Sequence, residues 1–233
     1  MKKYFPPLFV TLSLCLLSCS SQINGTLYAG GSADLTLRAS LEPRMAALLR
    51  SFSVVSGAQN ETVLDGPAIG RSLAASPGIR SVSFRNSGPA AIEGSIAVSR
   101  VDEFLSGGRF RFIRYEQGAS GGTLSISLDR NSGPQLISLI SGEVAEYLSA
   151  LMAPAATGIA LSREEYLEAV ASLYTRGVAD EIRTAAVAAV LDFPGPVAGV
   201  RGGVFSGSRV RFEVPLLDLL VLESPLYYEV TWR

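Results

Sequence analysis

The sequence predicts an α+β fold: a mostly antiparallel sheet with packed helices and a helical insertion in the second half. Three observations carry this. Period-two alternation of apolar and polar residues marks segments near both ends, as at 34–41 and 226–232. Residues 134–183 instead space their apolar side chains three and four apart. The chain is 48% hydrophobic and 18% charged, the balance of a folded polypeptide, and no long Pro- or Gly-rich linker splits it. A single domain over 33–233 follows, with the helices at 134–183 inserted between two sheet-forming blocks.

Taken in order, residues 20–32 are polar and Gly-rich and read as a tether. Leu35, Leu37, Ala39 and Leu41 share one face of a strand. Pro43 suits a first helical turn, and Met45, Leu48, Leu49 and Phe52 extend a helix to about Val55. Asp65, with Pro67 just inside, opens a short helix to about Ala75. Strands at 79–85 and 91–98 flank the turn Asn86-Ser87-Gly88-Pro89, and 102–105 is one helical turn. Residues 109–116 and 123–128 form a hairpin across a Gly-rich loop.

From Pro134 to about Met152, Leu136, Ile137, Ile140, Val144, Tyr147, Leu148 and Leu151 form one apolar stripe. Ala153-Pro154 ends that helix, and Ser162 with Glu165 predicts a capping box for the next, through Leu167, Val170 and Tyr174. Gly177 is expected to interrupt it before a short helix at 180–183. Strands return at 185–193, 208–214 and 226–232, with Pro194-Gly195-Pro196 and Gly202-Gly203 as turns. Residues 215–222 are apolar, helix or strand by pattern alone.

The first nineteen residues are a different kind of segment. Lys2 and Lys3 precede an apolar run at 8–17, well short of the roughly 18–20 residues of a membrane span. Leu16-Leu17-Ser18-Cys19 then has the pattern of a bacterial lipoprotein cleavage site, so 1–18 reads as a signal peptide and Cys19 as the acylated residue of a tether at 19–32. Cys15 follows the bulky Leu14 and is lost with the signal. The alternative is a simple secretory leader that leaves Cys19 free. Each buried methylene contributes about 0.8 kcal/mol, so two or more chains make a stable anchor. Ser20, where Asp would favour inner-membrane retention, points to the outer membrane or the periplasmic face of the cell envelope.

Composition excludes several chemistries. There is no His, and Lys occurs only at positions 2 and 3, which removes a Ser-His-Asp triad, His-ligated metals, a Lys Schiff base and a P-loop Lys. No cofactor and no metal site is expected. Outside the leader the basic residues are 18 Arg against 21 Asp and Glu, a net charge of −3 that gives no support to nucleic-acid binding.

Two patterns remain as candidate sites. Arg109-Phe110-Arg111-Phe112 and Arg209-Val210-Arg211-Phe212 repeat one grammar, with arginines on one strand face and apolar residues on the other. If those strands neighbour each other, four guanidinium groups gather into a patch for anionic headgroups or cell-wall polymers. Otherwise they are a solvated sheet face relieved by Glu116 or Glu213. The stripe with Ile140, Leu148 and Leu151 either closes over a greasy ligand or is core.

The order of short motifs invites comparison: the lipoprotein site, Asp65-Gly66-Pro67, Pro77-Gly78-Ile79-Arg80-Ser81-Val82, Val101-Asp102-Glu103-Phe104-Leu105, Leu216-Leu217-Asp218-Leu219-Leu220 and a final Tyr228-Glu229-Val230-Thr231-Trp232. The chain resembles small bacterial lipoproteins of the LppM-like type and uncharacterised spirochaete lipoproteins of this length. That resemblance implies an α+β, lipid-binding-like domain outside the cytoplasmic membrane.

The expected function is thus that of a non-enzymatic, membrane-anchored envelope lipoprotein binding a hydrophobic or amphiphilic ligand. The alternative is a protein–protein interaction subunit of an envelope assembly. Cys19→Ser is expected to abolish acylation and shift the protein from the detergent to the aqueous phase in phase partitioning; unchanged partitioning contradicts the anchor.

Overall fold

Ser21–Leu27 is a strand, β1, in the interior of the larger of two sheets. The computed structural model describes residues 21–55, 63–106, 110–132, 151 and 153–233. β1 pairs antiparallel with β2 (Ala33–Ser40) on one side and parallel with β7 (Ala186–Asp192) on the other, so that Ser21 stands opposite both Ala39 and Val187. The expected tether therefore begins the domain instead of preceding it. Its signal was weak because only Ile23, Gly25 and Leu27 face inward, and Gly25 interrupts the apolar run. Gly is required there: a Cβ would stand 2.5 Å from Leu35 Cδ2 and 2.8 Å from Leu191 Cδ2.

Beyond β2 lie β4 (Ala91–Val98) and the edge strand β3 (Ile79–Gly88); beyond β7 lie β10 (Arg209–Pro215) and the edge strand β9 (Gly203–Ser206). The smaller sheet is antiparallel, in the order β5 (Ile113–Gly118), β6 (Gly121–Leu128), β11 (Leu226–Trp232), β8 (Val197–Arg201). The expected stretch between the 185–193 and 208–214 strands held only turns. It contains β8 and β9, two strands too short for period two to show. Gly202, at φ 78°, carries the chain from one sheet to the other between them.

The sheets meet face to face. Val98, Val210 and Phe212 from the larger pack with Val230 and Trp232 from the smaller. Phe193 lies 4.9 Å from the Trp232 ring, and Phe212 meets Tyr228 edge-on at 5.6 Å. In β2 and β10 the inward residues are those that alternation selects, with polar side chains on the outer face.

Helices gather at one end of the larger sheet. α1 (Pro43–Val55) leaves the end of β2, and α6 (Arg176–Thr184) feeds the start of β7. α7 (Leu216–Val221) leaves the end of β10, its first N–H donating to Ala185 O at 2.8 Å. With α5 (Arg163–Leu173) they enclose Met45, Leu49, Tyr166, Val170, Ile182 and Val221. Glu181 joins two of them: its carboxylate accepts from Arg44 N–H at 3.1 Å and Met45 N–H at 2.8 Å, satisfying orphan donors at the α1 N-terminus. Ser162 and Glu165 form the expected capping box on α5.

Gly177, expected to break the helix, lies inside α6 instead. The break falls at Tyr174–Thr175, where Thr175 caps the Val178 N–H, and Gly177 leaves room for the Arg44 side chain. Elsewhere α2 (Gly66–Ala74) starts as expected at Asp65, whose carboxylate accepts from Ala68 N–H at 2.9 Å. α3 (Val101–Ser106) and the short α4 (Pro154–Thr157) complete the set. α4, α5 and α6 follow one another between β6 and β7 in sequence; the 134–150 part of the expected insertion lies outside the described residues. Among the described residues no helix is long and apolar enough to cross a membrane.

Phe212 is 5% exposed between the sheets, whereas Phe205 on the edge strand is 48% exposed. Phe212→Ala is expected to cost about 3–5 kcal/mol and lower Tm by roughly 10 °C, with Phe205→Ala within about 0.5 kcal/mol of the parent. Thermal and urea unfolding of the two variants measure the difference; equal losses contradict this packing.

Candidate functional site

The two Arg-rich segments meet different fates. Arg209 and Arg211 lie on the outer face of β10, in the larger sheet. Arg209 donates two hydrogen bonds to Asp192 on β7, at 2.8 and 2.9 Å, and holds the Asp192 carboxyl below the usual carboxylate range. Arg211 stands 3.4 Å from Glu213. Arg111 is in the turn before β5, in the smaller sheet, because the regular strand starts only at Ile113. The two segments are therefore not paired, and Arg209 and Arg211 are spent on neighbouring acids.

Of the other expected site residues, Leu151 is 4% exposed and packs in the helical core. That places it among structural side chains. Cys19, Arg109, Ile140 and Leu148 lie outside the described residues.

Arg111 borders a different feature. A concavity of about 500 Å3 opens on the outer face of the smaller sheet, lined by Arg111, Arg114, Ser125, Ser127, Asp129, Ser132 and Tyr227, with Phe112 and Asn131 beside them. Strand pairing assembles it: Arg114 stands opposite Ser125, and Ser127 opposite Tyr227. The Ser127 N–H donates to Phe112 O at 2.8 Å, which holds the Arg111 turn against β6. Phe112 itself packs with Leu128, Ala155 and Leu222 beneath the sheet.

The rim is a tight turn at Asp129–Ser132. The Asp129 N–H donates to Ser132 Oγ at 2.7 Å, and the Ser132 N–H to Asp129 Oδ1 at 2.8 Å. The bond from the Ser132 backbone, aided by its hydroxyl, holds the Asp129 carboxyl below its usual range. Arg130 fastens this turn to the helical layer, donating to Leu222 O at 3.2 Å and Leu161 O at 3.1 Å.

On the opposite side Tyr227 donates its hydroxyl to Glu229, a bond that raises the phenol above its ordinary value. The Arg201 guanidinium sits 4.7 Å over the Tyr227 ring. Among the described residues neither Arg111 nor Arg114 has an ion-pair partner. Two planar cations beside Ser and Tyr hydroxyls suit the oxygens of a phosphate or carboxylate.

Arg114, Ser125, Ser127 and Tyr227 were not singled out in the sequence. They come from three separated strands, and their common signal is only that each occupies the polar phase of an alternating strand.

No family model matches the chain, and no curated protein matches it. Among solved structures, the folded domain of the Mycobacterium tuberculosis LppM protein, determined by NMR, is similar to it. The identity is 11% and the TM-score 0.44, over 91% of this chain and 88% of that one.

Asp129 makes the rim sensitive to acid. Its folded-state pKa lies below the unfolded value near 3.9, so its contribution to stability is complete above about pH 4–5 and is lost as pH falls through the lowered value. Asp129→Asn is expected to be less stable than the parent at neutral pH, the gap closing toward about pH 2. Urea unfolding of both proteins across that range measures it; a gap independent of pH contradicts the role of the carboxylate.

Proposed function

We propose that this protein is a non-enzymatic, lipid-anchored lipoprotein of the cell envelope whose smaller sheet binds an amphiphilic ligand by its anionic headgroup. The observation that carries the reading is the pair Arg111 and Arg114. They face a concavity lined by Ser and Tyr hydroxyls, in which the one carboxylate, Asp129, is bonded by the Ser132 N–H. Neither arginine is in an ion pair among the described residues, while Arg209 and Arg211 are paired. A volume of about 500 Å3 suits a headgroup and not a whole diacyl lipid.

The anchoring part rests on Lys2, Lys3, the apolar run at 8–17 and Leu16-Leu17-Ser18-Cys19. The non-enzymatic part rests on side-chain chemistry. The Ser hydroxyls of the concavity have no His or Lys to take a proton, because the sequence offers none beyond position 3.

A second reading has its own observation. Val204 and Phe205, 68% and 48% exposed, lie on the edge strand β9, where a partner strand or apolar surface has access. The protein would then be an interaction subunit of an envelope assembly.

Native mass spectrometry of the protein extracted from its own envelope separates the two. An anionic amphiphile is expected to co-purify and to be lost when Arg111→Glu and Arg114→Glu are combined. Losing both charge-assisted contacts, at about 1.5–3 kcal/mol each, weakens binding at least about tenfold. Arg211→Glu is expected to retain the ligand. Recovery without any amphiphile, together with a stoichiometric protein partner lost in Phe205→Ser, favours the interaction subunit.

A further inference from the structure

We propose that the concavity lies at the end of the domain next to the bilayer that holds the protein's own acyl chains and takes its anionic headgroup from that leaflet. This rests on the reading of Cys19 as the anchor and says where the ligand comes from.

Cys19 is two residues from Ser21, and two residues span at most about 7 Å. Ser21 is already fixed in the sheet, opposite Ala39 and Val187. An acyl anchor at Cys19 therefore has no slack, and the end of the larger sheet that begins at Ser21 is held at the membrane surface.

A short series of contacts places the concavity at this same end. Val187, opposite Ser21, is two residues from Ala185, whose carbonyl accepts the first N–H of α7. α7 runs to Val221, and the carbonyl of its C-cap residue Leu222 accepts from Arg130 in the turn that forms the rim. The far end of the smaller sheet is tied to the far end of β1. Gln117 donates to Ala29 O in the β1–β2 turn, and Trp232 packs against Phe193 just beyond the end of β7. β1 has seven residues, so at about 3.3 Å each the two ends are roughly 20 Å apart. Arg111 and Arg114 thus open at the end that the anchor holds down, where anionic headgroups are concentrated.

The test uses the full acylated chain reconstituted in vesicles. Ser224→Cys carries a fluorophore at the concavity end and Ser120→Cys carries it at the opposite hairpin, both positions being exposed. The vesicles contain phosphatidylglycerol in phosphatidylcholine, with a quencher attached to a fraction of the headgroups.

Quenching at 224 is expected to exceed that at 120 by about threefold or more, given a separation of some 20 Å. Combining Arg111→Glu with Arg114→Glu is expected to bring quenching at 224 down to its value in pure phosphatidylcholine while the protein stays on the vesicles. Equal quenching at the two positions, or stronger quenching at 120, overturns the orientation. A response at 224 that ignores both lipid charge and the Arg variants overturns the headgroup contact. A chain that does not associate with vesicles at all overturns the anchor, a different outcome from an anchored chain with the wrong end down.

Discussion

The larger sheet depends on the position of β1 between two strands from opposite ends of the chain. On one side β1 continues the N-terminal meander of β2, β4 and β3; on the other it makes the parallel pair that recruits β7, β10 and β9. Without that pair the sheet divides into halves, each with a raw edge of unpaired N–H and C=O groups in its middle. The inner core divides with it, because Leu27 and Val98 then lie on one piece and Val210 on the other. A parallel pair cannot be closed by a tight turn, so everything from β2 to α6 serves as its connection. This also explains the tolerance for Gly25: a residue without a side chain lets Leu35 and Leu191 close over β1 from either side.

The same pairing organises the rest. It sets the starts of β1 and β7 and the ends of β2 and β10 along one border, and α1, α6 and α7 all attach there. Glu181 then bonds the first N–H groups of α1 from α6, joining helices from the two halves of the chain. Arg130 reaches from the smaller sheet to Leu222 and Leu161, so the sandwich and the helices share their polar contacts as well as their cores.

Charge is distributed by the same logic. On the outer face of the larger sheet, Arg209 lies across from Asp192, Arg80 from Asp34, and Arg38 and Arg85 both approach Glu93. Exposed pairs of this kind add little stability each, but they leave that face electrically quiet. On the smaller sheet Arg114 stands opposite Ser125, and neither it nor Arg111, in the turn before β5, has an ion-pair partner among the described residues. Two segments of nearly identical wording, Arg-Phe-Arg-Phe and Arg-Val-Arg-Phe, thus differ: Arg209 meets Asp192 across the strands and Arg211 meets Glu213 along its own, whereas Arg111 has no ion-pair partner among the described residues.

What the sequence determined by itself is what a residue and its near neighbours decide: the Asp65 cap, the Ser162–Glu165 box, the extent of α1, the alternation of β2 and β11, and the removal of His and Lys chemistry. These are local because a cap bonds within one turn and a half-buried strand alternates whatever it pairs with. The tertiary structure alone decided that residues 21–27 are an interior strand, that Gly177 sits inside a helix beside Arg44, and that β8 and β9 exist. It also decided that Arg111 and Arg114 are the arginines left without acids. Each of these depends on partners far away in the chain, and a strand's pattern specifies which face is buried without specifying whose side chains it will meet.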